Sequence, residues 1–474
     1  MLLSQGTIAR KRRATMDMTE GPILKTLITF AFPLLVGNLF QQLYNMVDTW
    51  VIGQKGAPGA YAAVGSVGPI INILIGLFAG LSSGTGVVIA QYFGAKDYEN
   101  VKKSVHTAIT VTLIMGVVFT VIGITMTPLI LRLMLASDGE LGNVYPFAKE
   151  YLTIYFSGIL GMMFYNMGAG ILRAVGDSRH PFYYLLVAAI TNTVLDLVFV
   201  FYLEMGVAGV AIATVIAQWL SAILTLITLL RSREVIRLVP RQLSIDLPLL
   251  RQIVRIGFPA AIQMALTAFS NVFVQSYIGH TNGIQEHNLG GWTTYSKVDQ
   301  FIFLPAQSLS VAVTTFVGQN LGCGNLRRAK RGTYLTFLTS LCISGGIIVL
   351  VMSFAPALAA IFNPDPAVVE IATALLRTLT PFYIFTSVNQ IFSAAMRGAG
   401  DSRAPMVIML TTFVGFRQLY LWIMTSFISN ELLHVGMGYP AGWFLCAVCV
   451  LVYFRFFFSF ERGRLTKASV KEST

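Results

Sequence analysis

Long apolar runs, separated by short charged or Gly/Pro-rich breaks, dominate the chain. Thr107 to Leu131 and Thr333 to Phe362 are two of them, each longer than the ~20 residues an α-helix needs to cross a bilayer. The strands of a membrane barrel are ~10 residues of alternating polarity, which does not fit runs of this length. The breaks predict twelve transmembrane helices: 25–52, 62–92, 104–132, 146–172, 182–203 and 206–230, then 252–279, 293–320, 333–361, 367–396, 405–428 and 436–460. The expected fold class is therefore an all-α polytopic membrane protein.

Charge supports that division. If the N-terminus is placed in the cytoplasm and the connections alternate sides, the inside segments hold 27 of the 33 Lys and Arg residues, as the positive-inside rule requires. They include Lys96, Lys102 and Lys103, Arg231, Arg233, Arg237 and Arg241, and Arg327, Arg328, Lys330 and Arg331. The outside loops carry acids instead: Asp138, Glu140, Glu204, Glu286, Asp365, Glu370 and Glu431. A helix missed in mid-chain would scramble this segregation. Both termini are thus expected in the cytoplasm, with the protein in the cytoplasmic membrane.

The chain also reads as a duplication. Pro33 to Gly53 aligns with Pro259 to Gly279 at an offset of 226, and Gln91 to Lys103 with Gln319 to Arg331 at 228. Arg173-Ala-Val-Gly-Asp-Ser-Arg-His-Pro181 aligns with Arg397-Gly-Ala-Gly-Asp-Ser-Arg-Ala-Pro405 at 224, with six of nine positions identical. Each repeat holds six helices, an even number, so both insert with the same orientation, related by a pseudo-two-fold axis along the membrane normal. That architecture favours binding sites near the midplane and alternating access between halves. The expected organisation is a cytoplasmic tail (1–24), an N-lobe (25–230), a cytoplasmic linker with Pro240 and Pro248 (231–251), a C-lobe (252–460) and a C-terminal tail (461–474).

Composition agrees. Of 474 residues, 55% are hydrophobic and 11% charged, with a mean hydropathy of +0.70, against roughly 25% charged residues in a soluble domain. An ordinary soluble enzyme is excluded. The formal charge of +12 does not indicate a nucleic-acid partner, because the bases lie between spans and form no single patch. Cys323, Cys342, Cys446 and Cys449 make no disulfide framework; Cys446 and Cys449 sit in an apolar run, as small packing residues. Arg10-Lys11-Arg12-Arg13 is followed by polar residues, unlike a secretory signal, and residues 1–17 read as an upstream extension with Met18 as an alternative start.

Three acids fall well inside predicted spans: Asp48, Asp196 and Asp299. A carboxylate in hydrocarbon costs ~2.5–3.5 kcal/mol on insertion scales, so each needs a partner, a wet cavity or a proton. Asp48 ends a polar stripe, Asn38, Gln41, Asn45, Asp48, whose steps of three or four residues make one helix face. Asp196 lies one turn from Asn192. Two carboxylates with amide and hydroxyl oxygens suit a hard cation such as Na⁺; a desolvated carboxyl near pH 7 suits a proton. The sequence leaves both open. The seventh helix carries Gln263, Thr267, Asn271 and Gln275 on one face but no acid, and Asp299 sits about two turns into the eighth, near Lys297.

Other features read as packing. Gly76, Gly80 and Gly84 form a small-residue stripe. Tyr44, Met163, Phe164 and Tyr165 are candidate cavity walls, although in a chain that is 12% aromatic core packing is the simpler account of any one. Kinks are expected at Pro33, Pro69, Pro259 and Pro305. Gly398-Ala-Gly400-Asp401 has the G-x-G-D pattern of intramembrane aspartyl proteases. It lacks a Tyr-Asp partner motif, and a tight turn with an N-cap accounts for it better.

With these residues in view the chain resembles the multidrug and toxic compound extrusion (MATE) transporters. The resemblance rests on two six-helix repeats, Asn45-Met-Val-Asp48-Thr-Trp-Val-Ile-Gly53, the paired G-D-S-R-x-P loops, Val317-Gly-Gln-Asn-Leu-Gly322, and Asn192-Thr-Val-Leu-Asp196 followed by Ala211-Ile-Ala-Thr214. It looks closest to the DinF-like prokaryotic branch. It implies a cation or proton site at Asp48, Asn192, Asp196 and Thr214, which would also be the ligands of Na⁺. It implies efflux of small organic, often cationic, compounds by Na⁺ or H⁺ antiport, with no cofactor, no enzymatic activity, and a monomer sufficient in the lipid bilayer. The NorM-like branch has further acids in the C-lobe; here Thr267 and Asn271 stand in that region, which weighs against a carboxylate site there. Gln41, Tyr44, Asn45, Met163, Gln263, Thr267, Asn271 and Asp299 are the candidate substrate-cavity residues. The alternative, a lipid-linked precursor flippase of the wider superfamily, needs a strongly basic cavity, and only Lys297, Arg377 and Arg417 lie well inside spans.

Overall fold

A computed structural model of the chain describes residues 16–55, 60–135, 141–232 and 235–461. Among the described residues the structure is helical with no strand. The first lobe comprises α1 (Ile23–Lys55), α2 (Ala60–Gly94), α3 (Tyr98–Leu135), α4 (Leu141–Ser157), α5 (Ile159–Ala174), α6 (Arg179–Leu197) and α7 (Gly206–Arg231). The second comprises α8 (Leu247–Ile278), α9 (Gln285–Gly322), α10 (Leu326–Phe362), α11 (Pro366–Leu379), α12 (Tyr383–Gly398), α13 (Arg403–Met409), α14 (Arg417–Ile423), α15 (Leu432–Gly436) and α16 (Gly438–Phe456). Among the described residues eleven helical stretches are long and apolar enough to cross a membrane. The bent pair Val144–Ser157 and Ile159–Ala174, at 48°, brings the number to twelve. The result is two six-span repeats, as the duplication predicts.

Starts and stops follow local chemistry. Asp246, Asn325 and Asp365 accept hydrogen bonds from Leu249, Arg328 and Ala367 N–H and so cap α8, α10 and α11, satisfying donors that have no partner within the first turn. The two G-D-S-R loops form the same turn twice. Gly176 and Gly400 both have φ +90°, a conformation glycine adopts without strain. Asp177 accepts from Arg179 and His180 N–H at 3.1 Å, and Asp401 from Ala404 N–H at 3.2 Å and the Tyr453 hydroxyl at 3.1 Å. Asp401 is thus a cap.

The fourth and tenth spans break at the same repeat position. Gly158 separates α4 from α5, and a 3-10 turn at Thr380–Phe382 separates α11 from α12. The prolines expected to kink their helices do not interrupt them: Pro33, Pro69, Pro259 and Pro305 all lie within continuous helix. Non-helical dihedrals appear instead at Phe354 (φ −109°, ψ 16°), just ahead of Pro356, whose ring forbids the usual carbonyl geometry one turn earlier. α9 begins at Gln285 rather than near 293, so Asp299 lies about four turns into it.

Apolar side chains cover the outside. Val117, Val121, Val349 and Leu350 are each more than half exposed, as a lipid-facing surface requires, while backbone polar groups are satisfied inside helices. The lobes meet where the glycines of α2 face α8. A Cβ on Gly80 would lie 2.3 Å from the Ala261 backbone, and one on Gly84 2.3 Å from Gly257 Cα. The small-residue stripe is a packing surface, and it joins the two lobes.

At the end of the molecule that carries the basic loops, the lobes are latched reciprocally. Gln91 of α2 donates to the Gly398 carbonyl of the second lobe at 3.1 Å, and Gln319 of α9 donates to the Ala174 carbonyl of the first at 2.8 Å. Gln91 and Gln319 correspond in the two repeats, and both are fully buried. The segment Met16–Gly21 lies across this contact. Met16 N–H reaches the Gly176 carbonyl, Met18 N–H donates to Gln319 Oε1, and Arg328 donates to the carbonyls of Met18, Glu20 and Gly21.

Candidate functional site

The polar stripe of α1 ends against α6. Asp48 and Asp196 bring their carboxyl groups within direct interaction range of each other. Asp196 and Asn192, one turn apart on α6, are 0% and 1% exposed. Apart from the two carboxyl groups themselves, no hydrogen-bond partner is present among the described residues for either Asp196 oxygen, for Asp48 Oδ1, or for the amide oxygen and nitrogen of Asn192. No Lys, Arg or His forms an ion pair with either acid; the ion pairs among the described residues are Lys103–Glu99, His180–Asp177 and His434–Glu431. Buried polar atoms are ordinarily paired. Two facing carboxyl groups cannot both be ionised in such a place unless a cation lies between them. A proton, or a hard cation held by oxygen, would relieve that repulsion.

Thr214, on α7, is half-buried and its hydroxyl donates to the Val210 carbonyl of its own helix at 2.9 Å. That leaves oxygen lone pairs free to accept or to ligate. Tyr44, on the stripe, contacts Gln41 and is within electrostatic range of Asp48. Tyr151 of α4 is in range of both carboxyls and stacks on Tyr155 with centroids 6.3 Å apart. Sequence reasoning missed these two tyrosines. Their i, i+4 spacing was visible, but nothing in the sequence pointed α4 at α1 and α6.

The candidate cavity residues separate into two groups. Gln41 and Tyr44 are half-buried, while Asn45 and Asn271 are exposed; Asn38 reaches across the lobes to the Ser308 hydroxyl on α9 at 3.4 Å. Thr267 hydrogen-bonds the Gln263 carbonyl within α8 at 2.7 Å. Gln263 and Met163 are buried, at 8% and 5%. Gln263 packs on Met409 of α13, and Met163 lines a small apolar cavity of about 50 Å³ with Phe78, Leu81, Met167 and Ile253. Asp299 sits beside the Tyr295 hydroxyl, away from the paired acids of the first lobe.

The second lobe presents a base where the first presents acids. Arg417 is 3% exposed, donates to Ser270 Oγ at 2.7 Å and Asn271 Oδ1 at 3.0 Å, and lies 4.7 Å from the centre of the Tyr439 ring. It begins α14 between two widened π-helical turns, Leu410–Phe416 and Met424–Ile428, a distortion common at functional positions.

The MatE family model matches residues 33–198 and 259–423, once in each repeat. The chain is 30% identical over 450 residues to the "Probable multidrug resistance protein YoeA" of Bacillus subtilis, covering 93% of this chain and 96% of that protein. It is 28% identical to the "Probable multidrug resistance protein NorM" of Thermotoga maritima, covering 95% and 96%. A solved structure described as the "Outward-facing conformation of a multidrug resistance MATE family transporter of the MOP superfamily" superposes with a TM-score of 0.86 at 25% identity, covering 93% of this chain and 96% of that one.

Proposed function

The chain belongs to the MatE family, and we propose that it is a secondary active exporter of small organic, often cationic, compounds, driven by antiport of Na⁺ or H⁺. Its relatives named as multidrug resistance proteins span nearly the whole chain, which supports a transporter rather than an enzyme. The positive-inside rule, applied to the basic loops, supports a cytoplasmic address for both termini and for the latched end. The Gln91 and Gln319 contacts then describe an exporter closed toward the cytoplasm.

The observation that carries the ion-coupling reading is the facing pair Asp48–Asp196, with Asp48 Oδ1, both Asp196 oxygens and Asn192 Oδ1 left without a protein donor. In this reading Asp48, Asn192, Asp196 and Thr214 take up the coupling ion, and its arrival changes how α1 packs on α6. Substrate and ion then oppose each other through the packing of the lobe, since coupling between sites is reciprocal. A lipid-linked precursor would need several bases around its pyrophosphate, and the paired charges Asp48 and Asp196 are acidic.

Thermal unfolding and proton release of the purified protein test the ion site. The reading expects either stabilisation by NaCl over choline chloride or proton release on adding a cationic substrate, with either response lost in Asp196→Asn. A folded wild type that shows neither response rejects it.

A further inference from the structure

Arg417 is a guanidinium buried within a membrane span without a counter-ion. No carboxylate of the described residues forms an ion pair with it, and its Nε has no hydrogen-bond partner. Asp299 on α9 sits beside Tyr295, and Tyr439 is in electrostatic range of both Asp299 and Arg417. A buried charge left unpaired is strongly unfavourable, yet the surroundings are built to hold this one. Ser270, itself 1% exposed, accepts from Arg417 and from Gln418 Nε2 at 3.1 Å while donating to the Phe413 carbonyl in the widened turn at 3.1 Å. Asn271, next to it, is exposed, so the Arg417–Asn271 bond at 3.0 Å brings the guanidinium to the edge of an accessible face.

The repeats sharpen the contrast. At the offset of 224 that aligns the G-D-S-R loops, Arg417 corresponds to Thr193 and so lies inside the counterpart of the Asn192–Asp196 stretch of α6. Asp48, at its own offset of 226, corresponds to Val274. Corresponding helices therefore carry two acids without a counter-ion in one lobe and a base without a counter-ion in the other. Guanidinium offers a planar fork of donors suited to a carboxylate.

We propose that Arg417, oriented by Ser270 and backed by Tyr439, is a subsite for the carboxylate of a zwitterionic organic substrate, at the Asn271 face of the second lobe. The proposal deepens the export reading and rests on it for the direction of movement. A zwitterion suits both lobes, its ammonium drawn toward the acids and its carboxylate toward Arg417. A purely cationic compound leaves Arg417 uncompensated.

The test uses the purified full chain and two probes with one xanthene body: rhodamine 110, with a free carboxylate, and its methyl ester, without one. Fluorescence anisotropy gives Kd for each. Wild type should bind the free acid at least tenfold tighter than the ester, and in Arg417→Gln that ratio should fall to near one, with Arg417→Lys between. Equal affinities in wild type overturn the proposal whether or not the variants fold, and an unchanged ratio in folded Arg417→Gln does so too. Gradient-driven export of the ester by wild type in liposomes tests the export reading separately. Movement of the ester with no preference for the acid rejects only the subsite; a preference for the acid without movement of either probe rejects only export.

Discussion

Gly84→Ala should open the end of the molecule where the lobes are latched. A Cβ at position 84 would lie 2.3 Å from Gly257 Cα, 2.4 Å from its nitrogen and 2.8 Å from the Ile253 carbonyl oxygen. These are backbone atoms, which cannot swing aside as a side chain tip can. Comfortable carbon contact begins near ~3.5 Å, so α2 and α8 must part by about 1 Å. Overpacking of this kind typically costs ~1–3 kcal/mol. The cost falls only on the state in which the two helices touch, so the balance between latched and opened states should shift roughly 5- to 150-fold toward opening. Melting temperature is the wrong readout, because replacing a helical glycine with alanine stabilises the helix itself by up to about 1 kcal/mol. The assay is a spin-label distance measurement between Lys102→Cys and Arg327→Cys, exposed sites on α3 and α10, with the four native cysteines replaced. Gly84→Ala should add a longer-distance population; Gly346→Ala, where a Cβ meets nothing within 4 Å, should not. A Gly84→Ala distribution identical to wild type would refute the reasoning.

Three further perturbations follow from the same contacts. Gln91→Ala and Gln319→Ala each orphan a buried carbonyl of the opposite lobe, a loss of ~1–3 kcal/mol. Both should lengthen the same spin-label distance, and Gln319→Ala also releases Met18 N–H. Arg328→Ala removes the donors that hold the Met18, Glu20 and Gly21 carbonyls, and limited proteolysis should then cut near residues 18–21 faster than in wild type; an unchanged cutting rate would count against the clasp. Asp177→Ala and Asp401→Ala should each lower stability by ~0.5–2 kcal/mol through loss of a cap, measured as a fall in Tm, and an undiminished Tm in both would show that the turns do not depend on them.

What the sequence displays and what it hides divide along physical lines. A membrane span is a local property: about twenty apolar residues and a break are enough, so the twelve spans and the duplication were legible without coordinates. Asp48 and Asp196 were legible for a related reason, since a carboxylate inside an apolar run conflicts with its surroundings wherever the fold places it. Their facing each other was not, because it depends on α1 packing against α6. Arg417 shows the same limit: its presence in a span was plain, but its partners Ser270, Asn271 and Tyr439 come from α8 and α16. Gly84 looked like one more small residue until α8 was seen to lie against it. Helix breaks were less legible. The four prolines singled out in the sequence sit inside continuous helices, while Gly158, one glycine among 42, stands at the 48° bend. A side chain of α7, Val215, occupies the space where a Cβ would stand at Gly158, and that contact is tertiary.

The most direct test of the account is ion-coupled transport by the purified protein in liposomes loaded with a cationic dye such as ethidium. A Na⁺ gradient and a pH gradient are imposed separately, on wild type, Asp48→Asn and Asp196→Asn, each verified as folded and inserted. The account predicts dye movement under one of the gradients in wild type and its loss in both variants. Normal gradient-driven movement in either variant, or none in wild type under both gradients, would contradict it.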